Sequence, residues 1–119
     1  MNALVLLAHG SPDPDWVRPL EAVRDRAREL APQRTIELAF MDYIAPSLPD
    51  VVASLSTAHA RIDVVAAFLS PGGNHLKRDI PALVARVAAQ HPELELRLVP
   101  GALGEAPDVI EALARAAVR

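Results

Sequence analysis

Two short apolar runs constrain this chain more than anything else in it: Leu4-Val5-Leu6-Leu7-Ala8, and Ile62 to Leu69, which is broken only by Asp63. A strand solvated on one face alternates apolar and polar side chains, so a run without alternation belongs to a strand covered on both faces, as in a parallel sheet. Parallel neighbours need long crossover connections, which helices usually supply. The intervals around the two runs carry that helical period. Asp13-Pro14 sets an N-cap before a proline in the first turn, and Val17, Leu20, Val23, Ala27 and Leu30 recur at three- and four-residue spacing until Pro32. Ser47-Leu48-Pro49-Asp50 begins a second helix with a capping-box-like pair, and Leu48, Val51, Val52 and Leu55 form its inner stripe. Asp79 as N-cap, with Pro81 in the first turn, begins a third helix, whose inner face is Ile80, Leu83, Val84 and Val87 and which ends near His91-Pro92. Pro100 to Gly104 leads to a last helix that turns Val109, Ile110, Leu113 and Ala117 inward.

Two further strands alternate instead. Thr35 to Met41 sets Ile36, Leu38 and Phe40 on one face, and Leu94 to Val99 sets its three leucines on one face, so both are expected at the edges of the sheet and less fully covered. With strands one and three central and crossovers right-handed, the chain is expected to form one domain over residues 1–119. It is an α/β protein with a four-stranded parallel sheet ordered 2-1-3-4, flanked by helices in the manner of a flavodoxin-like half-domain.

In such a sheet ligands bind at the carboxyl ends of the strands, where the connections diverge. Strand one empties into His9-Gly10-Ser11, and strand three into Ser70-Pro71-Gly72-Gly73-Asn74-His75. Two histidines beside glycine on adjacent strands can converge within metal-binding reach, and neutral imidazole near physiological pH can also accept protons. Asp42, after strand two, lies on the same edge as a third ligand, a base, or only a turn residue. Lys77 and Arg78, near a helix amino terminus, could receive an anionic group, or be solvated cations. Glycines at strand ends also serve turns, and Ser11 before Pro12 reads as a turn or cap. His59 and His91 end helices at the opposite edge and read as surface residues facing the helix dipole.

Composition excludes several chemistries. The chain has no cysteine, which removes thiolate ligands, iron–sulfur clusters and cysteine nucleophiles, so a transition metal must use His and carboxylate. A net charge of -3 with dispersed Lys and Arg argues against nucleic acid. No Gly-x-Gly-x-x-Gly, Walker loop or Gly-x-Ser-x-Gly elbow occurs, so no organic cofactor is expected. Neither a leader nor a membrane-length apolar stretch is evident, which implies a soluble, cytoplasmic protein with no membrane partner. At 119 residues one domain is too small to enclose a large substrate, which would require a second subunit.

Leu7-Ala8-His9-Gly10-Ser11, Phe40-Met41-Asp42, and Phe68-Leu69 through Gly72-Gly73-Asn74-His75 to Lys77-Arg78-Asp79-Ile80-Pro81 together resemble the small CbiX/SirB/CfbA-type chelatases over nearly the whole chain. The resemblance implies insertion of cobalt, nickel or iron into the tetrapyrrole sirohydrochlorin by a homodimer, toward cobalamin, siroheme or a nickel tetrapyrrole. It implies that His9 and His75 contact the metal and remove pyrrole protons. Asp42 stands where the family typically has glutamate, one methylene longer, which points to a role through water or as a proton relay. Gly10, Ser11, Gly72, Gly73, Lys77 and Arg78 become candidates for substrate binding. The alternatives are a non-catalytic cobalt- or nickel-binding or delivery protein using the same histidines, and a structural or regulatory relic in which they are only hydrogen-bonded.

Overall fold

Strand β1 (Asn2–Ala8) is the axis of the molecule, pairing on one side with β2 (Thr35–Phe40) and on the other with β3 (Arg61–Ala66), which in turn pairs with β4 (Glu95–Ala102). All pairings are parallel and the order is β2-β1-β3-β4, as expected from the apolar runs. The structure is a computed structural model that describes residues 2–70 and 74–119, with the side chains of residues 74–76 excepted. Helix α1 (Pro14–Leu30) follows β1, α2 (Leu48–Leu55) follows β2 and α3 (Asn74–Ala89) follows β3; a 3₁₀ turn, Leu103–Glu105, joins β4 to α4 (Pro107–Ala117). No helix among the described residues is long and apolar enough to cross a membrane.

The alternation of side chains along each strand splits the core in two. On one face Val5 and Leu7 of β1 and Ile62 and Val64 of β3 are fully buried with Leu48 and Val52 of α2 and Val87 of α3. On the other, Leu6, Ala8, Ile36, Leu38 and Phe40 lie beneath Val17, Leu20 and Ala27 of α1. Each large aliphatic side chain so buried stabilises the fold by about 1.5–3 kcal/mol. The expected N-caps of the first two helices form: Asp13 Oδ1 accepts from the Asp15 amide at 2.9 Å, and Ser47 Oγ from the Asp50 amide at 3.3 Å.

Several expectations are corrected. Strand β2 is at the edge by pairing, yet Ala39 is fully buried on the face opposite Leu38, because α2 packs over it. Strand β3 stops at Ala66; the Ala67 amide still donates to Leu7 O at 2.8 Å, but Leu69 is exposed. Helix α3 starts at Asn74, not beside Asp79, and Pro81 lies inside it. Pro81 removes one ladder bond, while Ile80, Val84 and Val87 anchor the helix to the core, and Pro19 is carried inside α1 in the same way. Strand β4 runs past Val99 to Ala102: an irregularity between Val64/Ala66 and the facing strand absorbs the extra residues, with Gly101 at φ +82°.

The largest departure is α4. Its apolar stripe was expected inward, but none of its residues is buried, and Ile110 and Leu113 are 53% and 48% exposed. The cause is the turn before it. The Gly104 amide donates to Phe68 O at 2.9 Å, and Glu105 Oε1 accepts from the Ala102 amide at 2.8 Å, so the turn is pinned to the end of β3 and aims α4 away from the sheet. Val23 and Leu30 of α1, also expected inward, are 47% and 69% exposed.

Candidate functional site

His9 is the first residue after β1, at the carboxyl edge of the sheet where the connections of β1 and β3 diverge. Its backbone is fixed from above: the indole Nε1–H of Trp16, in the first turn of α1, donates to His9 O at 3.2 Å. Its ring is held by Phe68, just past β3, with centroids 5.0 Å apart and planes tilted by 43°. Tilted packing of this kind fixes an imidazole without consuming its nitrogens. Among the described residues neither ring nitrogen has a hydrogen-bond partner, and no buried side-chain nitrogen or oxygen lacks one, so the His9 nitrogens open onto accessible space. His9 lines a cavity of about 480 Å³ together with Ala8, Asp15, Trp16, Pro19, Leu20, Ala67, Phe68, Leu69 and Ser70. A largely apolar lining around one imidazole suits a small-molecule ligand presented to one basic group.

Asp42 reaches the same edge by a sharp local bend. The Ile44 amide donates to Asp42 O at 2.9 Å and Tyr43 has φ 69°, which together define a γ-turn centred on a bulky residue in the left-handed region. Such strain persists where neighbouring structure enforces it. Here the enforcement is visible: Asp42 Oδ1 accepts from the Gly10 amide at 3.3 Å, and the Met41 amide donates to Ala8 O at 2.9 Å. Asp42 thus braces the residue that follows His9, while its side chain remains exposed.

The remaining candidates divide. Gly10 was expected to leave open backbone for a ligand; instead a Cβ there would lie 1.7 Å from Asp42 O, so the space belongs to the β2 loop. Ser11 Oγ accepts from the Asp13 amide at 3.1 Å and serves the turn. Lys77 lines a separate cavity of about 220 Å³ with Ile80, Pro81 and Gly101, on the α3 side, so it does not join His9; Arg78 is exposed on α3. His75 falls in the first turn of α3, and its side chain, like Gly72 and Gly73 as a whole, lies outside the described residues. Among the described residues no three His, Asp or Glu side chains gather closely enough to hold a metal. His59 and His91 share a cavity of about 570 Å³ at the opposite edge, away from the site.

Two features were missed in the sequence. Trp16 is the chain's single tryptophan, seven residues after His9, and that rarity was its only signal. Asp63 is the one charge in the second apolar run, and it is buried with guanidinium partners: Arg34 at 2.9 Å, Arg61 at 3.2 Å and Arg97 at 3.2 Å. Burial pushes its pKa up, but the hydrogen bonds and charges of Arg61 and Arg97 outweigh that and hold it below the ordinary value. This network lies at the amino edge of the sheet and is structural.

A family model for CbiX matches residues 3–119. The chain belongs to the CbiX family. A sirohydrochlorin cobaltochelatase of Methanocaldococcus jannaschii is 33% identical over 92 residues, 76% of this chain and 64% of the relative. Another, of Methanopyrus kandleri, is 33% identical over 85 residues, 71% of this chain and 59% of the relative. The chain thus matches about three-fifths of the length of these curated relatives. Among solved structures, a CbiX protein of cobalamin biosynthesis from Marinobacter aquaeolei VT8 superposes with a TM-score of 0.86 at 29% identity, covering 98% of this chain and 94% of that one. SirB from Bacillus subtilis with Fe3+ gives 0.79 at 22% identity, over 96% of this chain and 45% of that chain, and shows the shared fold.

Proposed function

We propose that this CbiX protein is a metal chelatase that inserts a divalent cation into sirohydrochlorin, working in the cytoplasm as a homodimer. The observation that carries the reading is His9: an imidazole packed on Phe68, its backbone held by Trp16, lining a largely apolar cavity at the carboxyl edge of a CbiX sheet. The names of the relatives supply the substrate class, since they are sirohydrochlorin cobaltochelatases.

Metal insertion makes three demands. The ion must lose water, lie against one face of the macrocycle, and take the place of two pyrrole protons, so that a divalent cation enters as two protons leave. Neutral imidazole accepts a proton near physiological pH and is also a ligand for cobalt, nickel and iron. In this reading His9 and His75 together hold the ion and receive protons, and few ligands are an advantage, because a closed cage would retain the ion. Trp16 and Phe68 bear on the ring system as cavity walls. Asp42 acts through position, by fixing Gly10 next to His9, and its exposed carboxylate can pass a proton to water. Lys77 and Arg78 serve at most the substrate's outer carboxylates. Cobalt, nickel and iron are substrates here, and no organic cofactor is required.

The test is spectroscopic. Purified protein is mixed with sirohydrochlorin and Co2+, Ni2+ or Fe2+ in turn, and the absorbance change of the macrocycle is followed for wild type, His9→Ala and His75→Ala. The expected result is enzyme-dependent insertion with at least one metal and its loss in both variants. Metal binding without insertion would instead identify a delivery protein, and full activity in His9→Ala would remove the histidine from the mechanism.

A further inference from the structure

We infer that α4 of each subunit packs onto the other subunit, filling a helix slot that each copy leaves open between α1 and β3; this deepens the homodimer reading above by naming what the two copies exchange. A parallel sheet is covered on both faces, because its strands have no polar side to give to water. One face of this sheet is closed by α2 and α3. The other has α1 over β1 and β2, whereas the same face of β3, carrying Val65 and Ala67 beyond Asp63, has no comparable helix among the described residues. The face is one helix short, and among the described residues α4 is the helix that contributes no side chain to either core cluster.

The two surfaces match in pattern. On α1, Trp16, Leu20, Val23, Ala27 and Leu30 follow one another at alternating four- and three-residue spacing, a seam for a neighbouring helix, and Trp16, Val23 and Leu30 are 55%, 47% and 69% exposed. This seam faces β3, since Trp16 and Leu20 wall the same cavity as Ala67 and Phe68. Ala106, the residue that caps α4, and Ile110, Leu113 and Ala117 within it repeat that spacing, with Ile110 and Leu113 about half exposed. The exposed parts of Trp16, Val23, Leu30, Ile110 and Leu113 come to roughly 500 Å² per copy, so a pair brings about 1,000 Å² of apolar side chain together, the threshold for a specific interface before any polar rim is counted.

The occupant is a second copy because the connection to α4 is built, not slack. Gly104 is seated so closely that a Cβ on it would lie 1.9 Å from Leu69 O, and its amide bonds to Phe68 O. That turn sends α4 outward, and the molecule extends 48 Å along its long axis, with a radius of gyration of 14.4 Å against about 13.5 Å expected for a compact domain of this length. Reciprocal exchange of an identical element closes both slots at once with two-fold symmetry. It also gives each His9 cavity a neighbour from the other chain beside Trp16, which ties the metalation site to the dimer.

The absence of cysteine makes the experiment direct. Val65→Cys and Leu113→Cys chains are prepared separately, mixed so that subunits redistribute, oxidised mildly, and analysed by peptide mass spectrometry, with light scattering in parallel. The expected result is a disulfide joining residue 65 of one chain to residue 113 of the other, in a particle of dimer mass. A dimer without that link, or a doubly substituted chain that closes 65 to 113 within itself, overturns the exchange while leaving the metal-insertion assay to decide function; a monomer overturns both exchange and dimer. Leu113→Asp, at an exposed position, is expected to keep the far-ultraviolet circular dichroism spectrum and halve the particle mass. A Leu113→Asp dimer of unchanged mass also overturns the proposal.

Discussion

Replacing Gly10 with alanine tests how the β2 loop and His9 are tied together. Gly10 is buried, and the added Cβ would meet Asp42 O at 1.7 Å, Asp42 C at 2.8 Å and Ile44 Cγ1 at 3.2 Å. The first separation must open by more than 1 Å, and both close atoms are backbone, so rotating a side chain cannot relieve it. The strained turn at Tyr43 must move or the His9–Gly10 segment must. Either movement loosens the 3.3 Å bond from the Gly10 amide to Asp42 Oδ1 and strains the 2.9 Å bond from the Met41 amide to Ala8 O. Overpacking costs about 1–3 kcal/mol, and one weakened hydrogen bond adds roughly 1 kcal/mol. Gly10→Ala is therefore expected to lose about 2–4 kcal/mol in urea unfolding and, by displacing His9, to lower metal insertion further than destabilisation explains. Gly101→Ala is the control. Its cost is the φ of +82° alone, about 1–2 kcal/mol, since the nearest atom to a Cβ there is Glu105 Oε1 at 3.4 Å. Gly10→Ala with stability within 0.5 kcal/mol of wild type and full activity would refute the argument that this close approach positions His9.

Asp42→Asn retains an oxygen that can accept from the Gly10 amide, whereas Asp42→Ala does not; if Asp42 acts by position, the asparagine variant keeps most insertion activity and the alanine variant loses stability by about 1 kcal/mol and activity with it. Equal loss in both would make the carboxylate a proton carrier instead. Asp63→Asn leaves Arg34, Arg61 and Arg97 together without their counter-charge and is expected to cost about 2–3 kcal/mol at neutral pH, below the range for a fully buried pair because the arginines are partly exposed. Because the Asp63 pKa is depressed in the fold, its contribution is complete above the ordinary carboxyl value of 3.8 and vanishes as pH falls through the lower folded value. The stability gap between wild type and Asp63→Asn should therefore narrow only in acid, as thermal unfolding between pH 7 and pH 2 will show. Trp16→Phe removes the indole donor to His9 O while keeping an aromatic wall, and is expected to slow insertion severalfold with substrate binding little changed, measurable as a fall in kcat with KM held.

The sheet was legible because burial on both faces leaves a mark in sequence that few other arrangements share: Leu4 to Ala8 and Ile62 to Val65 have nowhere to be but the centre. The position of His9 was legible for the same reason, since a residue that follows a central strand is carried to the carboxyl edge of the sheet whatever the loops do. Tertiary ties are what local pattern does not encode. Gly10 reads as room for a ligand until Asp42, 32 residues on, is seen in that room. Asp79 followed by Pro81 looks like a helix start because local capping rules cannot see that Ile80, Val84 and Val87 anchor a longer helix to the sheet. Trp16 shares the spacing of Leu20, Val23, Ala27 and Leu30, but that period does not reveal its bond to the carbonyl of His9, seven residues back.

The failure at α4 is of another kind. Its pattern was read correctly as amphipathic, and the stripe Ile110, Leu113 and Ala117 is apolar as expected. What the pattern leaves open is which surface the stripe covers, because a helix period records that a partner exists and not which chain supplies it. The cavity of about 480 Å³ beside His9 is lined in part by Trp16, which is half exposed. In the chelatase proposed above, a flat macrocycle must enter from the edge, be held on its faces, and leave carrying the ion. An open-sided cleft whose far wall arrives with another subunit meets those demands with a smaller domain than one that must enclose the ring by itself. On the exchange proposed above, the exposed flank of α1 and the outward helix belong together: each copy would carry half a cleft and the helix that its neighbour lacks.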